Sequence, residues 1–186
     1  MPRLFTGLEM PSDIATELSL LRGGLPGARW IEPADYHLTL RFIGDIRREL
    51  ANDIAEGLAT IAAAPFAVKL ERLSVFGSDK PRALIARAVD SAALTALQLE
   101  HERLARRLGA PTERRKFTPH VTLARLRGVD APTVGAYIEA RGDMPPLSFE
   151  ATRFVLYSSR ESTGGGPYRI EAVYPFATAR ARGWAD

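Results

Sequence analysis

Two periodicities of apolar residues run through this chain and divide it into alternating elements. Alternation of period two predicts strands at Arg3 to Leu8, Tyr36 to Phe42, Phe66 to Phe76 and Arg82 to Val89, the last two joined by the turn Gly77-Ser78-Asp79-Lys80-Pro81. Spacings of three and four predict helices. The first runs from an N-cap at Ser12 to about Leu21 and stops at Gly23-Gly24. A second covers Ile46 to Ala62, with Leu50, Ile54, Leu58 and Ile61 in phase. A third covers Ala92 to Leu108, with Leu94, Leu97, Leu104 and Leu108 in phase and Gly109 at its end. The second half repeats this plan: a strand at His120 to Leu126, a helix at about Pro132 to Ala140, then strands at about Leu147 to Ser158 and Tyr168 to Phe176. The Arg-rich end, Arg180 to Asp186, reads as a frayed tail.

Strands, hairpins and helices mixed in this way predict an α+β fold built from two similar lobes. No linker separates the halves, so residues 1–186 read as one domain whose lobes share an interface or even strands. With 46% of its residues hydrophobic the chain can bury a core, which excludes intrinsic disorder. The absence of cysteine removes disulfide frameworks, zinc fingers, iron–sulfur sites and thiol nucleophiles, and fits a reducing, cytoplasmic setting. Met1 to Met10 reads as neither a signal peptide nor an anchor. The longest apolar run, Ile61 to Val68, is broken by Pro65 and falls well short of the roughly 20 residues of a membrane span, so no membrane attachment is expected. Net charge is +3, and only Lys69, Lys80 and Lys116 are lysines. The positive charge is therefore almost wholly arginine, whose planar fork suits phosphate, although arginine richness is more often a genomic habit.

One tetrapeptide pattern occurs twice, as His37-Leu38-Thr39-Leu40 and His120-Val121-Thr122-Leu123, each in a predicted strand. Strand side chains alternate, so each copy presents an imidazole beside a hydroxyl while its apolar residues point into the core. A pseudo-two-fold arrangement of the lobes would set two imidazoles on opposite sides of a cleft with hydroxyl donors between them. That constellation suits in-line attack at phosphorus, in which one neutral imidazole takes a proton from the nucleophile and one protonated imidazole gives a proton to the leaving oxygen. Hydroxyls and a nearby arginine would hold the non-bridging oxygens. A single His-x-Thr in a strand is commonplace and usually structural. Here, however, the two copies use two of only three histidines in the chain. The third, His101, falls in phase with the leucine stripe of its helix and reads as a half-buried structural residue.

Beyond these residues, the chain resembles the two-histidine (2H) phosphoesterases, and within them the bacterial and archaeal RNA 2′,3′-cyclic phosphodiesterases, historically called 2′-5′ RNA ligases. The resemblance runs from Arg3-Leu4-Phe5 through Trp30-Ile31-Glu32-Pro33 and His37 to Asp45, to Phe117-Thr118-Pro119-His120-Val121-Thr122-Leu123-Ala124-Arg125. Leu156-Tyr157-Ser158-Ser159-Arg160 and Gly166-Pro167-Tyr168 are similar to its C-terminal signature. It implies a bilobal fold of largely antiparallel sheet, helices outside, with both motifs facing a central cleft. It also implies cofactor- and metal-independent opening of a terminal RNA 2′,3′-cyclic phosphate to a 2′-phosphate end, by a monomer. His37 and His120 would be the acid/base pair, with His37 the acid beside the leaving 3′-oxygen and His120 the base. Thr39 and Thr122 would be phosphate donors and Arg125 a phosphate clamp. In a regular strand Arg125, five residues after His120, would face away from it, whereas Arg41 would face with His37; the family pattern thus requires a bulge or strand end before Arg125. Phe42, five after His37, would by the same symmetry stack on a terminal base, or else be an ordinary core aromatic.

Three other readings compete. The same site run backwards would join a cyclic-phosphate end to a 5′-hydroxyl. A non-catalytic RNA-binding module would keep the motifs as a phosphate pocket. Two histidines used as metal ligands make a poor site without a carboxylate at ligand spacing. Asp35 could orient the His37 ring or be an exposed turn carboxylate, and Arg114-Arg115-Lys116 could attract RNA phosphates or be a solvated loop.

Overall fold

The computed structural model describes residues 3–141, 144–159 and 166–177. In chain order the described elements are β1 (Arg3–Glu9), α1 (Ser12–Ser19), β2 (Ala28–Trp30), β3 (His37–Asp45), α2 (Arg48–Leu58), β4 (Phe66–Phe76), β5 (Ala83–Ala88), α3 (Ala92–Arg107), β6 (His120–Leu126), α4 (Ala131–Arg141), β7 (Leu147–Ala151), β8 (Arg153–Ser159) and β9 (Tyr168–Pro175). The fold is α+β, as expected, and the strands form one sheet in the order β7-β4-β5-β6-β3-β1-β8-β9, with β2 also on β6. The expected frayed tail at 180–186 lies outside the described residues.

The sheet divides at its middle, where β3 and β6 meet through the antiparallel pair Leu38–Val121. Each side of that seam mixes the two halves of the chain. On one side β3 and β1 pair onward to β8 and β9; on the other β6 pairs to β5, β4 and β7. The expected single strand from Leu147 to Ser158 is accordingly two. β7 is built onto β4, Thr152 breaks the run, and β8 is built onto β1 in the other lobe. The apolar pattern does not register the break because both pieces bury residues against the same layer of helices.

Those helices cover one face of the sheet. Leu38, Leu40, Val121 and Leu123 point into a core completed by Ile54 and Leu58 of α2, Leu94, Leu97 and Leu104 of α3, and Val134 and Tyr137 of α4. The phase of α3 is as the leucine spacing predicts, and Ser91 caps it by accepting from the Leu94 N–H at 3.2 Å. The expected Ser12 cap of α1 is not formed. Pro11 holds the cap position in extended geometry, and Ser12 lies inside the first turn, where its carbonyl accepts from the Thr16 hydroxyl at 2.8 Å.

Of the bulges in the sheet, two shape the other face around the motifs. Against β1, Thr6 pairs with Arg41 and Gly7 with Thr39, which leaves Leu40 as the extra residue of β3. Against β5, Leu84 pairs with Ala124 and Ile85 with Thr122, which leaves Leu123 as the extra residue of β6. Both bulges fall three residues after a motif histidine.

Candidate active site

His37, Thr39, His120 and Thr122 are half-buried and share the face opposite the helices, alternating with the fully buried Leu38, Leu40, Val121 and Leu123. The seam pair Leu38–Val121 brings the two motifs side by side in antiparallel register. One step along that register sets His37 across from Thr122, and one step the other way sets Thr39 across from His120. The duplicated tetrapeptide thus becomes a local two-fold arrangement of imidazoles and hydroxyls.

The two rings are oriented alike. Nδ1–H of His37 donates to the Asp35 carbonyl at 2.8 Å, and Nδ1–H of His120 donates to the Thr118 carbonyl at 2.6 Å. A carbonyl can only accept, so the neutral rings carry their proton on Nδ1 and present Nε2 for proton transfer. Burial pushes His37 down to about 4, against the opposing pull of the Asp35 carbonyl and assisted by the positive fields of His120 and Arg125. His120 is also pushed down, first by burial and then by Arg125, Arg115 and Arg87, against the pull of the Thr118 carbonyl. Without a phosphate present, both imidazoles are therefore held neutral at pH 7.

The bulges decide where the flanking residues go. Arg125 is exposed on the histidine face, because the extra residue at Leu123 shifts the alternation by one. By the same shift Phe42 is half-buried on that face, packed with Phe5, Val155, Tyr157 and Tyr168, with the Arg3 guanidinium 5.5 Å from its ring centroid. Arg41 goes the opposite way. It is 3% exposed, paired with Glu102 of α3, and donates to the Phe42 and Pro111 carbonyls. A guanidinium so engaged beneath the sheet is a strut of the bulge and cannot reach a phosphate in the cleft.

The profile of the LigT-like phosphoesterases matches residues 8–85 and 88–168, two successive segments each containing one His-x-Thr copy. The chain belongs to the LigT-like phosphoesterase family. A relative from Aeropyrum pernix, named RNA 2′,3′-cyclic phosphodiesterase, is 31% identical over 154 residues, covering 81% of this chain and 87% of its own. A relative of the same name from Geobacillus stearothermophilus is 31% identical over 185 residues, covering 94% of this chain and 57% of its own length. E. coli LigT solved with 3′-AMP has the same fold at a TM-score of 0.76 and 21% identity, over 96% of this chain and 100% of that one.

Against this LigT-like pattern, the structure adds residues that sequence reading left without a role. Phe5, Tyr157 and Tyr168 surround His37, with centroids 4.8, 5.4 and 5.0 Å from its ring. Phe76, at the end of β4, meets the His120 ring edge-on at 4.7 Å. Tyr157 and Tyr168 stood within the C-terminal signature, but only the pairing of β8 with β1 and of β9 with β8 sets them beside His37. Asp35 orients His37 through its backbone carbonyl, while its carboxylate accepts from the Tyr168 N–H at 2.9 Å. Gly166 is required at this contact: its φ is +80°, and a Cβ there would lie 2.0 Å from the Asp35 carboxylate.

His101 is fully buried, at 2% exposure, where half-burial was expected. Its Nδ1–H donates to the Leu97 carbonyl and its ring stands edge-on to Phe154 at 4.5 Å, below the sheet and away from both motifs. In the basic run before β6, Arg115 is held by Glu113 through contacts of 2.7–3.0 Å. Among the described residues, no three His, Asp or Glu side chains converge as metal ligands. No helix among them is long and apolar enough to cross a membrane.

Proposed function

We propose that this enzyme opens the terminal 2′,3′-cyclic phosphate of RNA by hydrolysis, with His37 and His120 as its acid/base pair. The observation that carries the reading is the matched pair of imidazoles, each with Nδ1 tied to the carbonyl two residues before it, which leaves Nε2 as the nitrogen for proton transfer. The shared name of the relatives favours hydrolysis over ligation.

Water attacks phosphorus and loses its proton to Nε2 of one imidazole as the phosphorus–oxygen bond on the far side breaks. The departing ribose oxygen takes a proton from the other imidazole, so the pair ends with its protons exchanged and one water consumed. By family resemblance the 3′-oxygen leaves, with His37 the acid beside it and His120 the base, and the product carries a 2′-phosphate. The free site holds both rings neutral, so the anionic phosphate itself helps recruit the proton that the acid must carry. Thr39 and Thr122 donate hydroxyls to the non-bridging oxygens, and Arg125 contributes the charge that takes up what develops on them. Phe42 stacks on the terminal base. The chain acts as a monomer in the cytoplasm, in keeping with its lack of cysteine.

The deciding experiment is incubation of an oligoribonucleotide ending in a 2′,3′-cyclic phosphate, with the phosphate position in the product read by phosphorus NMR. A 2′-phosphate is expected. No turnover would overturn the reading, and a 3′-phosphate would overturn the assignment of the leaving oxygen.

A further inference from the structure

The face around the two motifs is closed on one side and open on the other. His37 is shut in by Phe5 and Tyr157, 4% and 7% exposed, and by Tyr168. Beside His120 the sheet continues outward through β5 and β4, and the register places specific residues there. Arg87 pairs directly with His120, and Arg72 pairs directly with Arg87, so the three stand in one row on the same face. With strands about 4.8 Å apart, that row extends about 10 Å from the histidine. The parallel row across the same strands runs Phe76, Ala83, Arg125. Along β4, Arg72 and Phe76 are exposed and Ser74 half-buried, alternating with Leu73 and Val75, which pack into the core. Phe76 keeps 37% of its surface exposed although its edge rests on His120. Among the described residues, β4 has no pairing to β7 beyond Leu70, which gives a bound chain an edge to leave over.

We propose that this β4–β5 surface is a track for the single-stranded RNA carrying the reacting end, with Arg87 and Arg72 on successive phosphates and Phe76 as a stacking platform. The proposal rests on the phosphodiesterase reading above. Guanidinium groups interleaved with an exposed aromatic are the combination that holds a single strand without reading its sequence. Between the two rows lie Ser74 and the buried Ile85, which pair with each other and form the floor between those rows. Each arginine has an acidic neighbour, Arg87 with Asp90 at 3.8 Å and Arg72 with Glu71 at 2.8 Å. The Asp90 carboxylate is 70% exposed and Glu71 35%, and the Arg72 guanidinium is itself 58% exposed, so both pairs face water and are weak enough for a phosphate to compete.

The test compares a nucleoside 2′,3′-cyclic phosphate with a hexanucleotide ending in the same nucleotide, for the wild type, Arg72→Ala, Arg72→Ala/Arg87→Ala, Phe76→Ala and the control Arg103→Ala on α3. The wild type should prefer the hexanucleotide by at least tenfold in kcat/KM. Arg72→Ala and Phe76→Ala should each cut that preference several-fold, and Arg72→Ala should leave the mononucleotide rate unchanged. The double variant should abolish the preference and flatten the dependence of log(kcat/KM) on log[salt] by about 1.4, or about 0.7 for each phosphate no longer neutralised. Arg103→Ala should change neither substrate. No wild-type preference for the hexanucleotide, or an equal fall on both substrates in Arg72→Ala, would overturn the track. If neither substrate turns over, the phosphodiesterase reading fails instead. Fluorescence anisotropy of a labelled 3′-phosphorylated hexanucleotide then decides the track alone: tight wild-type binding that disappears in the double variant supports it, and equal binding overturns it.

Discussion

Leu38 and Val121 form the antiparallel pair on which the two lobes meet, and each lies between the histidine and threonine of its own motif. Burial of this pair on the helix side obliges the four polar neighbours to gather on the other. The histidines should therefore act as a unit. His37→Ala and His120→Ala are each expected to lower kcat by roughly 10²–10⁴-fold or more, with circular dichroism and unfolding temperature near wild type. Near wild-type turnover in either variant would rule out a paired-imidazole mechanism.

Arg41 and Arg125 should part company when removed. Arg125 is exposed, so Arg125→Ala is expected to leave the unfolding temperature almost unchanged while depressing kcat/KM. Arg41→Met leaves the partly exposed Glu102 without its partner and removes the donor to the Phe42 and Pro111 carbonyls, a loss of roughly 1–3 kcal/mol that lowers the unfolding temperature by roughly 2–4 °C per kcal/mol in a domain of this size. Calorimetry and steady-state kinetics on both variants check this. A thermally silent Arg41→Met, or a kinetically silent Arg125→Ala, would show the two roles are assigned wrongly.

Burial lowers both site histidines from their ordinary 6.5, His37 to about 4. The singly protonated enzyme is then scarce at pH 7 and more abundant as the pH falls. The kcat/KM profile of the free enzyme should consequently peak below pH 6.5, on the acid side of the neutral optimum that unperturbed imidazoles would give. The kcat profile should lie at higher pH, because bound phosphate raises both groups. The limbs report the coupled pair. A kcat/KM maximum above pH 7 would show that the site does not desolvate its histidines.

Stability should follow the same sign. His101, like His37, is lowered to about 4 by burial, so between pH 6.5 and 4 the unfolded chain binds more protons than the native one. Stability is fully present above pH 6.5 and declines as the pH falls through that window. Glu113, held down to about 2 by Arg115, loses its contribution only below its ordinary 4.5. Replacing His101 by Leu should make the decline between pH 6.5 and 5 shallower by up to one proton's worth, measured by urea unfolding at each pH. An unchanged slope would mean that His101 does not titrate there.

Gly166→Ala brings a Cβ to within 2.0 Å of the Asp35 carboxylate at a φ of +80°. The hydrogen bond between Asp35 and the Tyr168 N–H should open, exposing the His37 ring that Tyr168 covers. The expected result is reduced kcat and a kcat/KM optimum moved toward neutrality, with an unfolding temperature lowered by a few degrees. An optimum that stays put would show that Tyr168 does not govern the environment of His37.

Much of this was legible in one dimension, because local rules suffice for it. The strand at His120–Leu126, the leucine phase of α3 and the alternation that sets imidazole and hydroxyl against apolar neighbours follow from side-chain geometry along a single strand or helix. The duplicated motif was legible as a candidate for the chemistry, since that reading needs only residue types at a spacing. What the chain alone left open was decided by contacts between distant segments. Whether Arg41 or Arg125 enters the cleft depends on one extra residue in each of two strands, and a bulge exists only relative to the partner strand it is out of step with. The break at Thr152 exists because β4 and β1, far apart in the sheet, each take one piece of what reads as a single strand. The aromatic enclosure of His37 is likewise assembled from β1, β8 and β9, and no period in the sequence marks residues that become neighbours only when three strands are laid side by side.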